Sequence, residues 1–253
     1  MHFQTVADIE RTYLTQGINL EIAAGDQFWS PLQAEYYSQV GRSALYQILG
    51  CLSVSHLHEV NTILELPSGH GRVARHLRAA FPSAELTFCD IERDAVDFCA
   101  RAFSGTGVYA EAELSPVRLP NKYDIIWVGS LFTHVDLDRT ARWLTFLCNH
   151  LTPDGILLAT FHGLWTKTVQ ERYSQMIDVQ SWHNIIEQFE QSGYGFASYP
   201  ASIDYGISLC EPSTIVKIAS RIDGIRIVSL TERGWADNQD VMGLARTDRL
   251  QPW

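Results

Sequence analysis

Short apolar runs alternate with amphipathic segments through the middle of the chain. The runs that predict strands cover residues 62–66, 86–90, 107–110, 123–128 and 156–161. Helical spacing follows the first, second and fourth of these runs, over residues 72–81, 95–102 and 137–151. Strands that alternate with helices form βαβ units, so the pattern predicts an α/β fold with a mostly parallel, doubly wound sheet.

The first 60 residues lack this alternation and read as helical. Their clearest helix spans residues 32–52, with an apolar face formed by Tyr37, Val40, Leu45, Ile48, Leu49 and Leu52. Ser30 and Pro31 precede it as a capping hydroxyl and a first-turn proline. The pattern therefore predicts a helical N-terminal extension.

The last two predicted strands should run antiparallel to each other. They cover residues 225–230 and 240–244, and about nine residues between them are too few for a crossover helix. We expect an antiparallel C-terminal edge pair, with a polar turn over residues 232–240. Helices are predicted over residues 180–191 and from residue 211, whereas residues 193–210 show no clear period.

The charge balance bears on the class of partner. The net charge is −10, and binding to nucleic acids or anionic membranes needs clustered cations, so we expect neither partner. One basic run contains Arg72, Arg75, His76 and Arg78, and it reads as the solvated face of a helix. The sequence leaves the oligomeric state open.

The cysteines and the apolar runs bear on the compartment. The five cysteines are an odd number without a CxxC pair, so we expect no disulfide framework and no metal site. No apolar run approaches the length of a membrane span, and charged residues near the N-terminus are unlike a signal peptide. The sequence therefore predicts a soluble, cytoplasmic protein.

A glycine-rich turn joins the first predicted strand to the first predicted helix. It reads Glu65-Leu66-Pro67-Ser68-Gly69-His70-Gly71, and its glycines let the backbone approach a ligand beside the free N–H groups of a helix start. Glu65 would oppose a pyrophosphate but suits a cationic ligand. Asp90 ends the second strand about 20 positions after the turn, where a carboxylate can accept hydrogen bonds from a ribose diol.

With these features the chain resembles the class I S-adenosylmethionine-dependent methyltransferases. The matching segments follow the family's order and cover residues 63–73, 89–91, 110–114, 123–134 and 151–157. The resemblance implies a Rossmann-like fold, S-adenosyl-L-methionine as cofactor, and O- or N-methylation of a small-molecule acceptor, either a natural product or a sugar-like compound. Pro67 departs from the family by replacing the first glycine of the loop, and Asp154 replaces another glycine.

The resemblance also implies roles for individual residues. The implied cofactor-binding set is Glu65, Pro67, Gly69, Gly71, Gly129 and Ser130 at the methionine portion, Asp90 at the ribose, and Ile91, Glu111 and Ala112 at the adenine. We expect one methyltransferase domain over residues 1–253. Its expected parts are a helical cap (1–60), a cofactor-binding core (61–162), a substrate-side insertion (163–224) and a final strand pair (225–247).

An oxygen acceptor also needs a base that removes its proton. His134 follows the fourth predicted strand and His162 ends the fifth, so both are candidate catalytic residues. Aromatic side chains are dense in the segments expected to roof the site and suit a small organic acceptor. The predicted acceptor contacts are Tyr37, Phe132, Trp165 and Tyr205.

Two other kinds of function stay open. The spacing Gly69-x-Gly71-x-x-Ala74 also fits an NAD(P)-dependent reductase or epimerase. Such an enzyme would be expected to carry a Tyr-x-x-x-Lys pair, but none of the three lysines, Lys122, Lys167 and Lys217, has a tyrosine four positions earlier. A binding module, or an enzyme that uses the sulfonium cofactor without moving its methyl group, would carry the same cofactor site.

Overall fold

The computed structural model describes residues 5–200 and 202–247. Its strands are β1 (Thr62–Glu65), β2 (Glu85–Asp90), β3 (Thr106–Tyr109), β4 (Tyr123–Val128), β5 (Leu151–Phe161), β6 (Tyr194–Ser198), β7 (Gly206–Cys210), β8 (Ile225–Trp235) and β9 (Gln239–Arg246). Its α-helices are α1 (Val6–Gln16), α2 (Ala34–Ser53), α3 (Ala74–Ala80), α4 (Arg93–Ala102), α5 (Leu137–Cys148), α6 (Leu164–Lys167), α7 (Val179–Ser192) and α8 (Pro212–Ala219). No helix within the described residues is long and apolar enough to cross a membrane.

Seven strands form one sheet in the order β3-β2-β1-β4-β5-β9-β8. The pairs among β1 to β5 are parallel, whereas β9 runs antiparallel to both β5 and β8. The predicted mostly parallel, Rossmann-like sheet with an antiparallel C-terminal edge pair is therefore confirmed. The strand order reverses between β1 and β4, and in open sheets of this kind ligands bind in the crevice at that point, outside the carboxyl ends of the strands.

Alternate side chains of the central strands enter two different cores. Ile125 and Trp127 of β4 pack with residues of α2, α3 and α4. Ile126 and Val128 pack with residues of α5 and α8 on the opposite face. Every residue of β4 is buried, as expected of a parallel strand that helices cover on both sides. The N-terminal helices thus cover one face of the sheet. They leave uncovered the carboxyl ends of its strands, where a ligand is expected to bind.

Three predicted segments differ from the observed ones. Helix α5 ends at Cys148, because Leu151 already pairs with Tyr123 at the start of β5. Residues 193–210 contain the hairpin of β6 and β7, and their alternation was hidden because every residue of β7 is buried. The predicted polar turn is shorter than expected, since β8 continues to Trp235 and β9 begins at Gln239.

The basic run before and on α3 is not a solvated face, contrary to the prediction. Arg75 and His76 are both buried. Arg75 donates hydrogen bonds to the backbone carbonyls of Asn19 and Glu21, and Arg78 donates to carbonyls in the turns after α3 and α4. These guanidinium groups satisfy carbonyl groups that lie outside helices and strands.

Candidate active site

The glycine loop lies between β1 and α3 and is tied to the end of β2. The N–H of Gly69 donates to Oδ2 of Asp90 over 2.7 Å. Gly69 and Gly71 have φ angles of 47° and 80°, in the left-handed region that favours glycine. A Cβ on Gly71 would overlap the ring of Phe103, whereas a Cβ on Gly69 would meet no atom within 4 Å. The loop therefore leaves open space in front of Gly69. Pro67, at the start of the loop, is half-buried.

Glu65 ends β1 with its carboxylate inside the protein. The residue is 2% exposed, and its Oε2 has no hydrogen-bond partner among the described residues. Burial and the charge of Asp90 raise the pKa of Glu65 well above its ordinary value, although Arg72 and Arg75 oppose this shift. A buried carboxylate oxygen without a donor is energetically costly. Such an atom fits a ligand that brings N–H donors and a positive charge.

Arg72 is a site residue that the sequence did not single out. Its guanidinium carbon lies 5.0 Å from the ring centre of Phe28, 5.9 Å from that of Tyr37 and 5.5 Å from that of Trp235. Burial lowers the pKa of Arg72, and the negative charge of Glu65 opposes this shift. The three rings come from distant parts of the sequence, so only the fold identifies this cation as part of the site.

The residues predicted to hold ribose and adenine follow β2 and β3. Asp90 is buried, and its two oxygens accept hydrogen bonds from backbone N–H groups of the glycine loop and of the turn before α4. Ile91 is 61% exposed just beyond it, and Glu111 and Ala112 are exposed after β3. Each carboxylate oxygen has a second lone pair, so Asp90 can order the loop and still accept a hydrogen bond from a ligand.

Polar side chains connect the ends of β4, β5 and β9. Ser130 has a φ of 62°, and its N–H donates to Oγ1 of Thr160 over 2.7 Å. Thr160 donates to Oε1 of Gln239 over 2.6 Å, and Nε2 of Gln239 donates to Oγ of Ser130 over 3.1 Å. A Cβ on the preceding Gly129 would overlap the ring of Trp127 and crowd that of Trp235. The cycle of hydrogen bonds fixes Ser130, and sequence reading missed Thr160 and Gln239 because strand pairing alone brings them to it.

His134 lies after β4, and one of its ring nitrogens is firmly held. Nδ1 lies 2.7 Å from the carbonyl oxygen of Gly206 and 3.0 Å from Oη of Tyr199. A carbonyl oxygen only accepts, so Nδ1 carries the proton and Nε2 presents a lone pair. Oγ of Ser130 lies 3.4 Å from Nε2. Burial lowers the pKa of His134, which keeps the ring neutral near pH 7, as a general base requires.

His162, the second predicted base, is enclosed by protein. Its Nδ1 lies 3.2 Å from the carbonyl oxygen of Ser208, and its Nε2 lies 3.2 Å from Oη of Tyr173. Burial and the neighbouring His134 lower the pKa of His162 to about 3. Both ring nitrogens have protein partners, so the surroundings account for this histidine without a substrate.

Two of the four predicted acceptor contacts, Trp165 after β5 and Tyr205 between β6 and β7, are only partly buried. The ring of Tyr205 is partly exposed and stacks on His134 at a centroid distance of 4.8 Å. Trp165 is half-buried, with the guanidinium carbon of Arg233 4.1 Å from its ring centre. The buried Nε1 of Trp165 has no hydrogen-bond partner among the described residues. Both rings therefore remain candidates for contact with an acceptor.

The other two predicted contacts are buried. Tyr37 is buried beside Arg72, and its hydroxyl donates to Oδ2 of Asp26 over 2.6 Å. Phe132 is fully buried and stacks on Phe161 with 5.4 Å between ring centres. Phe132 packs in the core, and the contacts of Tyr37 and Phe132 with an acceptor stay predictions.

One group among the described residues has donor atoms close enough to hold a metal ion. It consists of His70, Glu92 and Asp94, beside the glycine loop. Nε2 of His70 lies 3.3 Å from Oδ2 of Asp94, and Asp94 is in the first turn of α4, where a carboxylate stabilises the helix dipole. These interactions account for the group without a metal.

The sequence matches one protein-family model. Residues 64–157 match the family described as "Methyltransferase domain". The matched segment begins within β1 and ends within β5, so it includes the glycine loop, Asp90 and Ser130. A comparison with curated proteins finds no match.

Solved structures share the fold over nearly the whole chain. A S-adenosylmethionine-dependent methyltransferase from Clostridium acetobutylicum has a TM-score of 0.55 at 12% identity, over 84% of this chain and 92% of that one. Magnesium protoporphyrin IX methyltransferase from Synechocystis has a TM-score of 0.54 at 14% identity, over 95% and 94% of the two chains. The plantazolicin methyltransferase BamL has a TM-score of 0.58 at 12% identity, over 96% and 99%. With the family match, this shared fold confirms the resemblance to the class I methyltransferases.

Proposed function

We propose, from the match of residues 64–157 to a methyltransferase-domain family, that this protein transfers a methyl group from S-adenosylmethionine to an oxygen atom of a small-molecule acceptor. The observation that carries the proposal is the buried, unpartnered Oε2 of Glu65, at the end of the strand that leads to the open glycine loop. Two of the structures with the same fold were solved with S-adenosylhomocysteine bound.

The methionine end of the cofactor is a zwitterion, and this end of the site offers both charges. Glu65 accepts hydrogen bonds from the α-ammonium group, which restores donors to its unpartnered oxygen. Arg72 offers its guanidinium group to the α-carboxylate, held in place by three aromatic rings. Gly69 and Gly71 let the cofactor approach the loop, while Gly129 and Ser130 lie beneath the methionine portion.

The other half of the cofactor lies along the ends of β2 and β3. Asp90 accepts hydrogen bonds from the ribose hydroxyls, and the exposed Ile91 packs on the adenine. Glu111 and Ala112 meet its amino edge. When bound, S-adenosylmethionine supplies a methyl group on a positively charged sulfur, and the protein's task is to align an acceptor in line with it.

His134 determines which kind of acceptor fits best. A neutral imidazole with Nδ1 bonded to the carbonyl of Gly206 can take a hydroxyl proton at Nε2, whereas an amine acceptor has less need of a base. The stacked Tyr205 and the half-buried Trp165 give the acceptor side an aromatic lining. These features favour a small hydroxylated compound, such as a natural product or a sugar-like molecule.

His134→Asn is expected to lower kcat for methyl transfer about 100- to 10,000-fold, the range typical of losing a general base. The asparagine amide can still donate to the carbonyl of Gly206, but it offers no basic nitrogen. Formation of S-adenosylhomocysteine, measured against a panel of phenols and hydroxylated compounds, tests this. The affinity for S-adenosylhomocysteine should stay unchanged. Full activity of the variant would contradict the proposed base and point to a nitrogen acceptor.

The pH dependence gives a second expectation for the same residue. Only neutral His134 can accept a proton, so kcat should rise with pH through the pKa of this ring and then level off. Because burial lowers that pKa, the rise should be centred below the ordinary histidine value of about 6.5. A pH–rate profile of the native protein measures this, and a rise centred above pH 7 would contradict it.

A further inference from the structure

An ion-pair network joins two turns that are far apart in the sequence. Arg139, in the first turn of α5, donates from Nε to Oε1 of Glu113 over 2.8 Å. It also donates from Nη2 to Oδ2 of Asp204 over 3.1 Å and from Nη1 to the backbone carbonyl of Asp204 over 2.9 Å. One guanidinium group therefore bridges the segment after β3 and the turn between β6 and β7.

The surroundings hold Arg139 in one geometry. Its side chain is only 12% exposed, and Oδ2 of Asp136, the residue that caps α5, lies 3.8 Å from its Nη1. The second oxygen of Glu113 accepts a hydrogen bond from Nε1 of Trp143 over 3.2 Å. A planar guanidinium with fixed partners transmits position as well as charge.

The two bridged turns carry opposite sides of the proposed site. Glu113 directly follows residues 111–112, which are predicted to meet the adenine. Asp204 directly precedes Tyr205, whose ring stacks on His134. A restraint placed on residues 111–113 can therefore reach Tyr205, which stacks on the proposed base, through the single side chain of Arg139.

The turn that carries Tyr205 also sets the hydrogen bonding of His134. The N–H of Gly206 donates to the backbone carbonyl of His134 over 2.9 Å, and the carbonyl of Gly206 accepts from its Nδ1. Movement of this turn would remove the partner that keeps the proton on Nδ1. The position of residues 202–206 thus decides whether Nε2 is available as a base.

We propose that Arg139 is a positioning residue that couples cofactor binding to the order of the acceptor side. Cofactor bound against residues 111–112 restrains Glu113, and Arg139 passes this restraint to residues 202–206 and so to His134. The coupling rests on the proposed function, because it needs the adenine of the cofactor at that turn. Binding of the cofactor then completes the acceptor site before methyl transfer.

Hydrogen exchange of the whole protein, with and without saturating S-adenosylhomocysteine, tests the coupling. In the native protein, the ligand should slow amide exchange in the glycine loop by direct contact. It should also slow exchange in residues 202–208 about fivefold or more, since typical allosteric couplings begin at about that size. In Arg139→Gln the slowing at the glycine loop should remain, while that at residues 202–208 should be lost. Asp204→Asn, at an exposed position, removes the charge that Arg139 pairs with but keeps the backbone carbonyl contact. It should therefore reduce the slowing at residues 202–208 and is the variant to use if Arg139→Gln does not fold.

Arg142→Gln is the matched control. Nη1 of Arg142 lies 3.6 Å from Oε2 of Glu113, but its side chain is 60% exposed and the structure shows no ion pair from it to Asp204 among the described residues. This variant should keep the slowing in both regions. Slowing at residues 202–208 that survives in Arg139→Gln, or that is absent from the native protein while the glycine loop is protected, would overturn the coupling alone. No protection anywhere would overturn the cofactor assignment and the coupling together.

Discussion

Glu65→Gln is expected to weaken binding of S-adenosylhomocysteine about 10- to 150-fold and to stabilise the unliganded protein at neutral pH. A hydrogen bond to a charged group contributes about 1.5–3 kcal/mol, and the variant loses this interaction with the α-ammonium group. Without ligand, the buried carboxylate has no donor for Oε2, so an uncharged amide is easier to bury. Titration calorimetry and thermal unfolding measure the two effects on the same samples.

The sign of the stability effect follows from the raised pKa of Glu65. The folded protein binds this proton more tightly than the unfolded chain does. The native protein should therefore lose stability as pH rises from the ordinary glutamate value, about 4.3, through the raised pKa of the folded state. Glu65→Gln should lack this decline. Glu85→Gln, at an exposed position at the start of β2, is the control and should change neither affinity nor stability. A destabilised Glu65→Gln with unchanged affinity would contradict the assignment.

Gly41→Ala is expected to destabilise the fold by about 2–3 kcal/mol, the upper part of the usual range for overpacking. A Cβ at this position in α2 would overlap the backbone carbonyl oxygen of Arg72 and the ring of His76. Since that carbonyl belongs to the segment between the glycine loop and α3, relief of the overlap would also displace Arg72. We therefore expect weaker binding of S-adenosylhomocysteine along with the lower stability, measured by urea unfolding and calorimetry.

Gly50→Ala, on the same helix, is the matched control. A Cβ on Gly50 would meet no atom within 4 Å, so the change removes only the flexibility of a helical glycine. It should stabilise the protein by about 0.5–1 kcal/mol. Equal effects of the two substitutions would show that α2 and α3 do not cross as closely as the structure indicates.

Hydrophobic patterning predicted most of the fold because the central strands of the sheet coincide with continuous apolar runs in the sequence. The apolar run 123–128 coincides with β4, and the short spacing before residue 240 correctly required an antiparallel final pair. The hairpin of β6 and β7 was not predicted, since a fully buried strand shows no alternation. Burial there comes from α7 and from the loops after β4 and β5, which the local sequence does not reveal.

The candidate site was predictable in the segments where the motif is contiguous. Gly69 and Asp90, identified separately in the sequence, share a hydrogen bond in the structure. Arg72 and Gln239 were not predicted, because their partners lie in distant segments. The basic run on α3 was wrongly read as solvated for the same reason: a sequence shows a cation but not the carbonyl groups that bind it.

Titration of the purified native protein with S-adenosylhomocysteine, with NADH titrated in parallel, distinguishes a sulfonium cofactor from a nicotinamide one. We expect saturable 1:1 binding of S-adenosylhomocysteine and no binding of NADH, because the buried Glu65 opposes a pyrophosphate and accepts an ammonium group. Binding of NADH without binding of S-adenosylhomocysteine would contradict this expectation.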